Sequence, residues 1–168
     1  MEICVTRFNS ITFNENRKWI TENNSGIGCI YGCPVKISET ILPYTLLIVL
    51  EMNNSKNIIE GIGIIENNCA QENKKYYKIY ADNNYNRYIY RSNCRINRIH
   101  FNNYEKEVIT MLEQYLFKSA NHCKRGQGIQ KIPKKIINNE DFNFVNFLIN
   151  MYNNRFVTIK NIKILQQH

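Results

Sequence analysis

Residues 45–52, TLLIVLEM, and residues 58–65, IIEGIGII, are two continuous apolar runs of strand length separated by NNSKN at 53–57. Apolar runs of this length, bounded by turn-forming residues, read as strands, and the pair predicts a central β-hairpin. Gly61 and Gly63 fall two apart on the second strand, and side chains alternate along a strand. One face of that strand is therefore stripped of side chains, which predicts a bulge or a close approach by another element or a ligand.

Working outward, EICVTRF (2–8) alternates loosely and reads as a first strand, followed by a polar, Asn-rich loop over 9–22 around the only tryptophan, Trp19. GIGCIYGCP (26–34) mixes glycine, cysteine and an aromatic and reads as a loop or irregular turn. KYYKIYAD (75–82), RYIYR (87–91) and CRINRIH (94–100) are tyrosine- and isoleucine-rich strand candidates. The period then changes. Val108, Met111, Leu112, Tyr115 and Leu116 recur at helical spacing, predicting an amphipathic helix over 104–120 with Asn102 and Glu105 as a capping box. A basic, glycine-containing loop, NHCKRGQGIQKIPKK (121–135), precedes a second helix over 140–152 capped by Asn139, and FVTIKNIKIL (156–165) reads as a closing strand. This order predicts an α+β fold, with a mainly antiparallel sheet or small barrel flanked by two or three helices, in one domain spanning 1–168.

The composition fits that scale. Hydrophobic residues make up 43% of the 168 positions and charged residues 21%, enough for a core and too little charge for a solvated disordered chain. The 27 Asn and 26 Ile, against 7 Gly and 3 Pro, follow the codon usage of an AT-rich genome and mark origin more than chemistry. No apolar stretch reaches the roughly 18 residues of a membrane span, so no membrane partner is expected. An acid at position 2 and the lack of an apolar leader oppose secretion, and six scattered cysteines then suggest free thiols in an intracellular setting.

Charge gives the first functional clue. The formal net charge is +8, yet residues 1–72 hold five Lys/Arg against eight Asp/Glu, while residues 73–135 hold fourteen against four. A basic segment with interleaved aromatics implies a polyanion partner. Arg87, Arg91, Arg95 and Arg98 fall on the strand candidates, and Lys124-Arg125-Gly126-Gln127-Gly128 sets two bases beside flexible backbone whose N–H groups can meet phosphate oxygens. The segment lacks Walker spacing, and Lys131 extends its charge. Tyr85, Tyr88 and Tyr90 sit among the arginines, where strand tyrosines serve packing or base stacking.

Catalytic patterns are missing. The histidines are His100, His122 and His168, with no nucleophile elbow, no zinc-protease helix and no paired carboxylates, so no catalytic residue is assigned. Cys29 and Cys33 have a spacing compatible with two zinc ligands, but it is not that of a standard finger and buried thiols are common, so no metal or other cofactor is expected.

The run NNYNRYIYRSNCRINR, followed by a helix and then HCKRGQGIQKIP, resembles a family of uncharacterised proteins of giant, nucleocytoplasmic large DNA viruses. The similarity spans about 46–133, and the Asn/Ile bias resembles that of a mimivirus-like genome. More distantly, the loop around Trp19 followed by a hydrophobic strand and IIEGIGII looks like the layout of the PUA-like superfamily, including the EVE and YTH domains that bind modified bases. That resemblance implies a PUA-like fold and an aromatic pocket, for which Trp19 and Tyr31 are the candidate base-stacking residues. The expected function is therefore binding of RNA, or of a single-stranded or flipped base, through a basic face, by a protein of the host cytoplasm or virion. A virion structural protein with acidic partners is the first alternative. A nucleic-acid-processing enzyme drawing on Asp82, Glu105 or His100 is the second.

Overall fold

The computed structural model of the protein describes residues 1–23, 26–70, 76–138 and 142–157. The chain divides into two compact units, Met1–Ile132 and Pro133–His168.

In the first unit the expected hairpin is the centre of the sheet. β3 (Leu46–Asn53) and β4 (Ile58–Glu66) pair antiparallel, with a register shift between Leu50 and Met52. β1 (Glu2–Phe8) lies on the far side of β3 and runs parallel to it, from Glu2 opposite Leu47 to Phe8 opposite Asn53. β6 (Cys94–Asn97) closes one edge against β4, and the two-residue β7 (Gln130–Lys131) pairs with Cys4 and Val5 at the other. The five-strand order β6-β4-β3-β1-β7 is thus an open sheet with two edges and one parallel pair. The mixed α+β class holds, and the barrel alternative gives way to this open sheet.

A parallel pair needs a crossover, and α1 (Ser10–Asn23) and β2 (Cys29–Cys33) lie within it. Both segments correct expectations, since 9–22 reads as loop and 26–34 as an irregular turn. Asn9 and Thr12 start the helix reciprocally: the Thr12 amide donates to Asn9 Oδ1 at 2.8 Å and the Asn9 amide to Thr12 Oγ1 at 3.1 Å. The buried Asn16 then donates to the Ile30 carbonyl at 2.6 Å and to the Tyr80 hydroxyl at 3.0 Å, tying α1 to β2. β2 pairs with β5 (Tyr88–Ser92) in a second, two-stranded sheet. With α1 it covers the face of the main sheet that carries Cys4, Phe8, Leu47, Val49 and Ile65.

Alternation sends Ile48, Leu50, Ile62 and Ile64 to the opposite face, where α2 (Asn103–Glu113) packs along β4 with Val108, Ile109 and Leu112 buried. The expected capping box is present: Asn102 Oδ1 accepts from the Glu105 amide at 2.8 Å, and Glu105 Oε2 accepts from the Asn102 amide at 2.9 Å. α2 is shorter than the expected 104–120, because residues Gln114–Lys118 widen into a π-helical turn. Asn102→Ala is expected to cost about 1 kcal/mol of stability, read as a lower urea midpoint at unchanged slope. An unchanged midpoint would deny the cap its role.

Residues 76–80 form no strand. Instead the Ile79 and Tyr80 amides donate to the side-chain oxygen of buried Asn86, at 2.9 and 3.0 Å. The second unit contains α3 (Lys134–Ile137) and α4 (Phe144–Tyr152), which Asn143 caps through the Asn146 amide at 2.9 Å. The expected cap Asn139 and the helix start at 140 lie outside the described residues. So does most of the closing strand, whose first two residues belong to a helical turn over Asn153–Val157. With α1 and α3 the described helices number four where two or three are expected. Among the described residues no helix is long and apolar enough to cross a membrane.

Candidate functional site

The stripped face of β4 is filled from within. The Tyr31 hydroxyl approaches Gly63, and the Arg95 guanidinium approaches Gly61, so closely that a Cβ at either glycine would overlap them. Tyr31 donates to Glu51 Oε1 at 2.9 Å, and Arg95 holds both carboxylate oxygens, Nε to Oε1 at 2.9 Å and Nη2 to Oε2 at 2.6 Å. The side chains of Arg95 and Glu51 are only 5% and 1% exposed. Two expected site residues are thereby corrected. Tyr31 has no ring face open to a base, and Arg95 already has its anion.

Other bases divide by their partners. Arg98 Nη1 pairs with Glu113 Oε1 at 2.5 Å and also donates to the Ile59 carbonyl, pinning the end of α2 to β4. Lys131 meets Glu2 at 2.8 Å across the β7 edge. Arg87 and Arg91 are exposed, lying over the rings of Tyr88 and Tyr77, and Arg125 is exposed in its loop. Trp19, partly buried, packs on the core with its ring 5.8 Å from Tyr77, while Tyr31 is sealed within that core.

The glycine-containing loop, in contrast, borders a cavity of about 230 Å³ at the carboxyl end of β1. Lys124, Gly126, Gln127 and Gly128 form one wall, the start of α1 and Asn54 of the hairpin turn another, and Tyr80 and Tyr85 a third. Gly126 at φ +120° and Gly128 at φ +66° give the loop its turn; only glycine adopts these values without strain. Tyr85, 39% exposed, stands edge-on to the buried Tyr80 with ring centroids 6.0 Å apart.

At the base of this cavity lies Arg7, which charge patterning overlooks because it stands singly in an apolar strand. Its Nε donates to the Cys123 carbonyl and its Nη2 to Gln130 Oε1 at 3.0 Å, both neutral. Burial pulls the guanidinium's pKa below its ordinary value, with the Cys123 thiol pulling weakly the other way. Lys124 Nζ donates to Asn57 Oδ1 at 2.8 Å, again a neutral partner. Among the described residues no Asp or Glu lines the cavity. Two basic residues, one with a partly desolvated guanidinium, thus line one concavity with no acid among its described lining residues, and partly buried charge is costly until it is paired.

Compared with protein-family models, curated proteins and solved structures, the chain matches none.

The enzyme candidates do not converge on this cavity. Asp82 caps a short helical turn through the Asn84 amide, Glu105 closes the α2 capping box, and neither they nor His100 line it. All six cysteines are free, and burial pushes the thiols of Cys4, Cys29 and Cys33 up to about 12, far from nucleophilic. Among the described residues no three His, Cys, Asp or Glu side chains gather as a metal site.

Proposed function

We propose that the protein binds nucleic acid, seating a phosphate between Arg7 and Lys124 and packing the adjoining base or sugar against Tyr85. The observation that carries this reading is the cavity's two cations with no carboxylate among its lining residues. Phosphate oxygens are the complement of such a wall, and the glycine loop offers backbone close to them. The positive balance of residues 73–135 and the exposed Arg87, Arg91 and Arg125 support a general electrostatic attraction for a polyanion. The viral and PUA-like resemblances belong to this proposal as well: they suggest the ligand class, with Tyr85 taking the stacking role first expected of Trp19 and Tyr31.

The test is anisotropy titration of short single-stranded RNA and DNA across a salt series. Binding weakens steeply with salt, and Lys124→Glu lowers affinity about tenfold or more while reducing the salt slope by roughly 1. Undetectable binding at low salt, or affinity indifferent to Lys124→Glu, would reject the reading in favour of an interaction role with acidic proteins.

A further inference from the structure

We infer that the cavity takes the end of a strand, a terminal phosphomonoester, and not a phosphate within a continuous backbone; this rests on the nucleic-acid reading above. Two observations carry it.

The first is enclosure. Five stretches of chain surround the cavity, which measures about 230 Å³, below the usual range for small-molecule sites. Its floor is made of buried side chains, with Thr6, Phe8 and Tyr80 at 6%, 4% and 4% exposure, whereas Asn9, Tyr85, Gly126 and Gln127 at the rim are exposed. A backbone running through needs an entrance and an exit. A cavity of this size, floored by buried side chains and open at its rim, suits one phosphate with part of its sugar.

The second is charge. An internal diester brings one negative charge, but a terminal monoester carries about −1.5 to −2 near neutral pH. Arg7 and Lys124, with no acid in the lining, match the second.

The experiment compares one short single-stranded oligonucleotide with a 5′-phosphate, a 3′-phosphate or hydroxyl ends, by competition against a labelled strand at fixed salt. One phosphorylated end is expected to compete at least about tenfold better than the hydroxyl-ended strand, a difference of the size that a charge-assisted contact supplies. Both Arg7→Gln and Lys124→Gln are expected to erase the difference. Among the described residues Lys124 reaches only Asn57 with its amine, so this second variant keeps the test decisive if Arg7→Gln fails to fold. Equal competition by all three strands, with all three weakened by Lys124→Gln, overturns the terminal assignment and leaves nucleic-acid binding in place. No competition by any strand overturns both.

Discussion

Glu51→Ala is expected to lower folding stability by about 3–5 kcal/mol, a large part of the roughly 5–15 kcal/mol typical of a domain. Glu51 accepts from Arg95 through two nitrogens and from the Tyr31 hydroxyl, all inside the core. Burial by itself pulls the Arg95 guanidinium's pKa down, and the adjacent Glu51 charge and hydrogen bonds turn the net shift upward. Removing the carboxylate leaves that cation inside the protein with nothing to pair it. Guanidinium unfolding curves measure the loss, and a variant within about 1 kcal/mol of the parent would show that Arg95 finds another partner. The paired change Glu51→Leu with Arg95→Met is expected to recover most of the stability, because a buried ion pair replaced as a unit strands no charge.

Gly63→Ala is expected to cost about 3 kcal/mol, at the upper end of overpacking effects, and to lower Tm by roughly 10 °C. An alanine Cβ here would lie 1.8 Å from the Tyr31 hydroxyl oxygen and 2.9 Å from Cys29 Sγ. Tyr31 cannot swing aside, since it is 1% exposed and bound to Glu51. Tyr31→Phe removes the nearest atom, so the double variant should melt above Gly63→Ala alone. If the added phenylalanine gives no recovery, the obstruction lies in the remaining ring carbon Cζ, 2.8 Å from that Cβ, and in Cys29 Sγ.

These two sites mark the limits of the sequence reading. The hairpin is legible because Leu46–Asn53 and Ile58–Glu66 are apolar runs around a clear turn, and the spacing of Gly61 and Gly63 announces a close approach. The intruder is not legible: Tyr31 and Arg95 reach those glycines from segments about 30 residues away in either direction. α2 is legible from its period and cap, whereas α1 hides because its inward stripe of Phe13, Asn16 and Ile20 is interrupted by an asparagine. Only the tertiary partners of Asn16, the Ile30 carbonyl and the Tyr80 hydroxyl, make that position a core one.

The basic residues show the same division. KRGQG is legible as a phosphate-facing loop candidate, and its glycines and Lys124 do border the cavity. Arg95 and Arg98 carry equal formal charge, but their counter-ions, Glu51 and Glu113, come from elements 44 and 15 residues away. Arg7 is the reverse case. One signal for it lies in the sequence: an arginine at the carboxyl end of an apolar strand, two residues before the Asn9 and Thr12 helix start.

The shortness of β7 has a further consequence. Its pairing with β1 matches Cys4 to Lys131 and Val5 to Gln130, so two more rungs of the same ladder would set Arg7 opposite Gly128. Both residues instead line the cavity, and Gly128 at φ +66° bends the loop away from β1 before those rungs form. The cavity is thus an unfinished ladder, and strand completion competes with access for the same few ångströms of backbone. Any change that straightened this loop would zip the sheet shut over its own opening, trading the cavity for a longer edge.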